Sequence, residues 1–252
     1  GTVGTRAFGV SCLSASSCWA VGEIEGAAPP KERLMLRWNG STWSQVSTEL
    51  PVGSTTSALE DVSCVATNAC WATGRHGIGS VNRGLTVRWN GSTWSLSGNP
   101  LPTSGVSTNL VGVSCVSASF CFAVGSAFDE STFVESRIVL RWNGSTWVSG
   151  TTPEPTGATR TNLHDVSCVS TTACWAVGAF RAPGIADRRL VLKWNGTAWT
   201  IASTPMPTAS TDTALYGVDC ITATDCWTVE LEPFPPSGVT TVPVSTCQTT
   251  SR

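Results

Sequence analysis

Charge is scarce in this chain. Lys, Arg, Asp and Glu make up 13% of its 252 residues and the formal net charge is −2, against about 25% charged residues in an ordinary soluble domain. No basic run occurs, so the electrostatic footprint of a nucleic-acid binder or an acidic-membrane binder is missing. No apolar stretch approaches the roughly 18 residues of a membrane-spanning helix, and no membrane insertion is expected. His76 and His164 are the only histidines and Tyr216 the only tyrosine. That leaves no assignable Ser-His-Asp or Cys-His arrangement and too few nitrogens for a recurring metal site, so neither metal nor cofactor is expected. A signal peptide is also missing. The chain begins at Gly1 without a methionine, the expectation for a chain whose signal has been removed.

Cysteine and tryptophan are abundant, and they repeat. C-x5-C pairs stand at Cys12/Cys18, Cys64/Cys70, Cys115/Cys121, Cys168/Cys174 and Cys220/Cys226, so successive first cysteines are 52, 51, 53 and 52 residues apart. Trp-Asn-Gly-x-x-Trp follows the first four pairs by about 20 residues. A period in this range marks a propeller, solenoid or array, and the chain reads as one domain over 1–252 with repeats at about 5–56, 57–108, 109–160, 161–212 and 213–252. Zinc would need four ligands per site, and a C-x5-C pair offers two. Disulfides are therefore expected within each pair, each closing a seven-residue loop and contributing roughly 2 kcal/mol on the chain-entropy estimate. Ten paired cysteines place the protein in an oxidising compartment, secreted or on a cell surface.

Within the second repeat, Ala58–Val65 and Cys70–Thr73 read as short strands joined by a turn, with Gly74 ending the second. Leu85–Trp89 gives a third. In the first repeat the same strand runs Arg33–Trp38, with Leu34, Leu36 and Trp38 on one face and Arg33, Met35 and Arg37 on the other, a period of two. Asn-Gly at Asn39, Asn90, Asn143 and Asn195 is the signal of a type I′ hairpin, and a fourth strand starts at Trp43, Trp94, Trp147 and Trp199. Each repeat is then a four-stranded antiparallel meander, and radial repetition of such meanders makes a β-propeller. The all-β reading is a five-bladed propeller with one disulfide per blade. The fifth blade is incomplete: it has lost its Trp-Asn-Gly-x-x-Trp hairpin and keeps a last candidate strand over 238–246, after a Pro-rich turn at Pro233–Pro236.

Cys-Trp-Ala-Val-Gly, Leu-x-Leu-Arg-Trp and Asn-Gly-Ser-Thr-Trp together resemble the repeat of Asp-box (BNR-type) propellers, whose sialidases and photosystem II assembly factors carry Gly-Trp-Ala-Val-Gly and then Asp-x-Gly-x-Thr-Trp. The likeness runs from about residue 7 to about 230. It is closer still to the Cys-Trp-Ala-Val-Gly and Trp-Asn-Gly-x-x-Trp repeats of secreted bacterial proteins. The resemblance implies the propeller fold. The box aspartate is an asparagine here, one residue nearer the glycine, so a literal Asp box is absent. The tyrosine nucleophile and arginine cluster of sialidases are not matched either: Tyr216 sits on a first strand, and Arg33, Arg137 and Arg189 recur at a strand position.

The aromatics after each second cysteine, Trp19, Trp71, Phe122, Trp175 and Trp227, are expected between blades, as are Trp43, Trp94, Trp147 and Trp199. Trp38, Trp89, Trp142 and Trp194, beside the tight turns, are the candidate sugar-stacking residues. The acidic groups Glu23, Glu25, Asp129, Glu130 and Glu135 invite comparison with glycosidase carboxylate pairs but fall in loops that differ from repeat to repeat (22–33, 74–84, 125–137 and 178–189). The Asn-Gly-Ser/Thr sequons follow from turn chemistry alone. Cys247, the odd cysteine, is the candidate assembly residue, for intermolecular pairing or else burial as an inert thiol. These features lead to the expectation of a non-catalytic extracellular module, structural or interacting, partnered by itself or another surface protein. A lectin with aromatic sites between blades is the alternative.

Overall fold

The computed structural model describes residues 4–25, 32–102, 105–184, 186–203, 213–231 and 239–243. Four sheets repeat one antiparallel meander. The first comprises β1 (Gly4–Ser14), β2 (Ser17–Glu25), β3 (Glu32–Trp38) and β4 (Trp43–Gln45), and the second β5 (Thr56–Ala66), β6 (Ala69–Ile78), β7 (Val81–Trp89) and β8 (Trp94–Ser97). The third comprises β9 (Val106–Ser117), β10 (Phe120–Asp129), β11 (Val134–Trp142) and β12 (Trp147–Ser149), and the fourth β13 (Arg160–Ser170), β14 (Ala173–Arg181), β15 (Arg188–Trp194) and β16 (Trp199–Ile201). Among the described residues the fifth has three strands, β17 (Ala214–Thr222), β18 (Asp225–Leu231) and β19 (Val239–Pro243). The incomplete last blade of the sequence reading is thus observed. β19 ends at Pro243, so the end of the candidate strand over 238–246 and Cys247 lie outside the described residues.

All five disulfides form, Cys12–Cys18, Cys64–Cys70, Cys115–Cys121, Cys168–Cys174 and Cys220–Cys226, each across the first hairpin of its sheet with Cα atoms 4.0 Å apart. The second cysteine of each pair belongs to the core. Cys18, Cys70, Cys121, Cys174 and Cys226 are all buried, because the second cysteine of each pair lies on the covered second strand. Cys70, Cys121, Cys174 and Cys226 join the apolar layers between sheets. Cys18, on the first sheet, has no earlier sheet beside it among the described residues. The disulfides therefore staple the hairpins, with Cys12 exposed and Cys64, Cys115, Cys168 and Cys220 half-buried on the first strands.

Above each disulfide the first strand carries a bulge. Between Leu59 and Asp61 the ladder skips Glu60, and the same slot holds Phe8, Val111, His164 and Tyr216 in the other sheets. The residue facing the bulge is a glycine in four sheets because the bulged backbone crowds it: a Cβ at Gly74 would lie 2.1 Å from the Ala58 carbonyl oxygen.

Two expectations are corrected here. The second strand does not end at Gly74 but runs on to Ile78, so most of the supposed variable loops are long hairpin arms. The reason is that the glycine answers a bulge and leaves the ladder intact beyond it. Asn-Gly does not form a type I′ turn. Only the glycine has positive φ, 97–101° at Gly40, Gly91, Gly144 and Gly196. The loop has four residues between paired tryptophans, and the asparagine closes it with its side chain. Asn90 Oδ1 accepts the N–H groups of Ser92 and Thr93, each at 2.9 Å, a local side-chain-to-backbone motif.

The core lies between sheets. Trp71 of the second sheet meets Leu110, Val113, Leu140, Trp142 and Trp147 of the third, and equivalent layers join the first to the second, the third to the fourth and the fourth to the fifth. First strands run side by side and are tied across sheets. The serine before each first cysteine accepts the next sheet's cysteine N–H: Ser11 from Cys64, Ser63 from Cys115, Ser114 from Cys168 and Ser167 from Cys220, at 3.0–3.2 Å. This is β-propeller architecture. Among the described residues no strand pairing or ring contact joins the fifth sheet back to the first.

Candidate functional site

One aromatic joint recurs between sheets. The strand-two aromatic of one sheet wedges against the Trp pair of the next: Trp19 lies 4.9 and 5.1 Å from Trp89 and Trp94. Trp71 lies 4.6 and 5.0 Å from Trp142 and Trp147, and Phe122 lies 5.2 and 4.9 Å from Trp194 and Trp199. Tilted and edge-on contacts at these separations are the favourable ones for aromatic quadrupoles. A cation covers two of these joints, with Arg37 between Trp19 and Trp89 and Arg88 between Trp71 and Trp142. Each Trp pair is positioned inside its own sheet. The first Trp donates Nε1–H to the cysteine-hairpin turn, as Trp89 does to Thr67 O at 2.9 Å, and the asparagine loop holds the second Trp opposite it.

At the two ends the same parts stand uncovered. Among the described residues, Trp38 and Trp43 of the first sheet have no earlier sheet against them; Trp43 is 44% exposed, whereas Trp94, Trp147 and Trp199 are 6%, 3% and 4% exposed. Trp227, the strand-two aromatic of the fifth sheet, is 48% exposed. It faces Pro243 across the ladder, where the other sheets place Arg or Lys, so the covering cation of that position is replaced. Phe8, Val10 and Leu13 on β1, and Tyr216 and Ile221 on β17, add to the exposed apolar surface.

The joint between the fourth and fifth sheets is built differently, because the fifth lacks the Trp pair. Trp175 takes over one lost bond by donating to Ala223 O, the turn carbonyl of the fifth sheet, at 3.4 Å. Glu230 stands where the other sheets have the bulge-facing glycine. It is 1% exposed and accepts both Nε–H (2.8 Å) and Nη2–H from buried Arg189 of β15. The repeated arginines thus diverge: Arg137 donates to Thr152 Oγ1, the carbonyls of Thr152 and Pro153, and Glu154, while Arg33 donates to Thr48 and Ser57. Burial lowers the Arg33 pKa to about 10.

Two half-buried carboxyls stand on the first strands β5 and β13. Asp61 accepts the N–H groups of Val62 and, from the next sheet, Val113, and Asp165 likewise accepts those of Val166 and Val218. Burial pushes Asp61 up to about 7, with Asp165 adding repulsion, and burial raises Asp165 to about 6. A cavity of about 290 Å³ lies between the second and third sheets, lined by His76, Arg83, Gly84 and Leu101 among others. His76 Nδ1 lies 2.9 Å from Ser54 Oγ, and burial lowers its pKa. Among the described residues, no group of three or more His, Cys, Asp or Glu is placed to hold a metal.

The sequence candidates are distributed unevenly. Of the four proposed sugar-stacking residues, Trp89, Trp142 and Trp194 are buried under the neighbouring sheet's aromatic and offer no free face. Trp38, paired with Trp43 at 5.5 Å, keeps one. The acidic residues do not converge. Glu23 and Glu25 pair with Arg6 and Glu135 with Arg160, while Asp129 caps its turn through Ser131 and Thr132. His164 stacks on Tyr216 at 4.6 Å. The sequence reading did not single out Glu230, Asp61 or Asp165. Their signal lay in the aligned repeats, as a glutamate in a glycine slot and as an alternation of Gly9, Asp61, Gly112, Asp165 and Gly217.

No protein-family model matches the sequence, and no curated protein matches it. Solved structures do resemble the fold. A protein of unknown function from Dyadobacter fermentans aligns over 96% of this chain and 79% of its own, with 13% identity and a TM-score of 0.60. A PL25 ulvan lyase aligns over 96% of this chain at 12% identity and a TM-score of 0.60, and this chain spans 64% of the lyase's length. The SapL1 lectin, solved with α-methyl fucoside, aligns over 97% of this chain and 81% of its own, at 12% identity and a TM-score of 0.52. At such identities the likeness concerns the fold.

Proposed function

We propose that this chain is a non-catalytic extracellular interaction module that assembles through its end sheets with copies of itself or with another surface protein. The observation that carries the reading is the contrast in aromatic burial: strand-two and hairpin aromatics are covered at the internal joints and open at the two ends. A large exposed apolar patch marks an interaction surface. The five disulfides support an oxidising, extracellular setting, and the engagement of the acidic residues in ion pairs and turns supports a role without catalysis. The test is the native assembly state of the protein, by light scattering and negative-stain imaging with and without reductant. Regular oligomers or filaments are expected, and persistence of a monomer at high concentration, with no captured surface partner, overturns the reading.

Carbohydrate binding is the second reading, and the open Trp38/Trp43 pair favours it, since a solvent-facing aromatic pair can stack on a sugar ring. A glycan array run with the wild type and with Trp38→Ala tests it. Binding by a monomeric protein that the substitution abolishes would put this reading first.

A further inference from the structure

Two ladders run through the internal joints, the aromatic one through the first three and the hydrogen-bond one through all four. The aromatic ladder leaves a wedge, Trp227, on the fifth sheet and a pair, Trp38 and Trp43, on the first. In the hydrogen-bond ladder the serine position of the fifth sheet is Asp219, exposed and aligned with Trp227 on the strand ladder. At the other end, among the described residues, Cys12 N–H has no serine of an earlier sheet to meet. The bulge residues form a row of equivalent positions that, among the described residues, makes one ring contact, at the fourth joint. His164 and Tyr216 stack with ring planes 5° apart, and Tyr216 and Phe8 are the exposed ends of that row.

The uncovered pair has kept the shape of the covered ones. Trp38 and Trp43 are 5.5 Å apart with planes at 43°. The covered pairs are 5.8, 5.8 and 5.7 Å apart, at 43°, 55° and 51°. A receptor that needs no rearrangement loses little freedom when it is occupied. The wedge is equally well defined, because Trp227 sits beside the Cys220–Cys226 disulfide on the fifth hairpin.

We infer that the first and fifth sheets form a head-to-tail joint between two copies of this chain, in which Trp227 of one copy wedges against Trp38 and Trp43 of the next. In the same joint the Asp219 carboxylate accepts the Cys12 N–H, and Tyr216 comes against Phe8. The occupant is fixed by continuity with the internal joints, since the chain carries both halves of an interface it already makes with Trp19, Trp71 and Phe122. A carboxylate acceptor makes the first-strand bond charge-assisted and stronger than its serine counterparts. Such a joint is heterologous, so it closes into a ring if the rotation allows and otherwise extends as a filament. This inference rests on the assembly reading above and names its contact.

The test uses two substitutions, Trp227→Ser and Trp43→Ser, both at half-exposed positions, in a Cys247→Ser background that removes covalent linkage. Sedimentation velocity of the parent is expected to show concentration-dependent oligomers. Each single variant should associate at least about 30-fold more weakly, ~2 kcal/mol, as for loss of a central tryptophan anchor. Mixing the two variants should restore a 1:1 dimer that grows no further, because one retains the pair and the other the wedge. Far-ultraviolet circular dichroism and a count of intact disulfides establish that both variants are folded. Oligomers that persist in the double variant overturn this joint while leaving assembly standing. A parent that stays monomeric and whose Trp227 is shielded from a fluorescence quencher closes within one chain, which overturns the joint between copies. A parent that is monomeric with Trp227 accessible, and captures no partner, overturns both the joint and the assembly reading.

Discussion

The Trp142/Trp147 pair of the third sheet and the Trp38/Trp43 pair of the first share sequence context, loop and geometry, yet one is covered by Trp71 and the other faces solvent. The comparison separates what a repeat builds for itself from what its neighbour supplies. The pair is set within the sheet: Trp142 donates to Ala118 O at 3.0 Å and Trp38 to Ala15 O at 2.9 Å, and both loops are closed by the asparagine. Burial comes from outside. Stability in such arrays is a sum of unit and nearest-neighbour contributions, so the end sheets lack a contribution that internal sheets have.

Substitution at an internal wedge should therefore have the largest effect. Trp71→Ala leaves a cavity among Leu110, Trp142 and Trp147 and is expected to cost about 3–5 kcal/mol, read by urea denaturation with disulfides intact. A loss below ~1 kcal/mol would break the distinction between covered and open pairs. Next comes the joint that has a buried ion pair where the others have the Trp pair. Glu230→Gly restores the residue of the other four sheets but leaves buried Arg189 without its carboxylate, and removing one partner of a buried ion pair costs roughly 3–5 kcal/mol. Adding Arg189→Leu should recover part of that loss, and failure to recover any would mean that Glu230 is held by something other than its guanidinium partner.

A pH-linked effect follows an alternation along the array instead. The first strands of the second and fourth sheets carry Asp61 and Asp165 where those of the first, third and fifth carry Gly9, Gly112 and Gly217. Their folded-state values, about 7 and about 6, lie above the ordinary 3.8, so the folded protein holds these protons more tightly than the unfolded chain. The resulting stabilisation is complete below about pH 4 and is lost as pH rises through 6 to 7, at up to ~1.4 kcal/mol per pH unit for each group. Unfolding free energy should fall between pH 5 and pH 7, and Asp61→Asn should flatten the slope. A wild-type profile that rises over that range would contradict the burial argument.

Repetition made most of this fold legible. Five cysteine pairs at one spacing gave the sheet count and the disulfides, and the missing Trp-Asn-Gly-x-x-Trp hairpin gave the truncated last unit, because each is a local feature of one repeat. What escaped was set by contact between units. The wedge and the buried state of Trp89, Trp142 and Trp194 depend on the neighbouring sheet's position, and no single repeat contains that information. Gly74 read as a stop because a strand glycine and a terminal glycine look alike until the bulge opposite is seen. Glu230 escaped because its partner, Arg189, lies 41 residues away on another sheet. The open ends were half visible: the missing hairpin of the fifth unit pointed to an edge, but the matching open face on the first sheet emerges only when Trp38 and Trp43 are compared with their covered counterparts.

The smallest expected effect is the one that sharpens the comparison most. Trp43→Ser and Trp227→Ser act on half-exposed side chains, and surface substitutions of this kind change the stability of a single chain by about 0.5 kcal/mol or less. Measured at a dilution where the protein is monomeric, both variants should therefore unfold at the wild-type midpoint, against the loss of several kcal/mol at Trp71. At high concentration the wild type alone should gain stability, since association that selects the folded state raises its apparent stability by mass action. The same residue type at equivalent positions would then serve folding inside the array and association at its ends. Equal losses for Trp227→Ser and Trp71→Ala in the dilute monomer would instead place Trp227 in the folding core and remove the distinction.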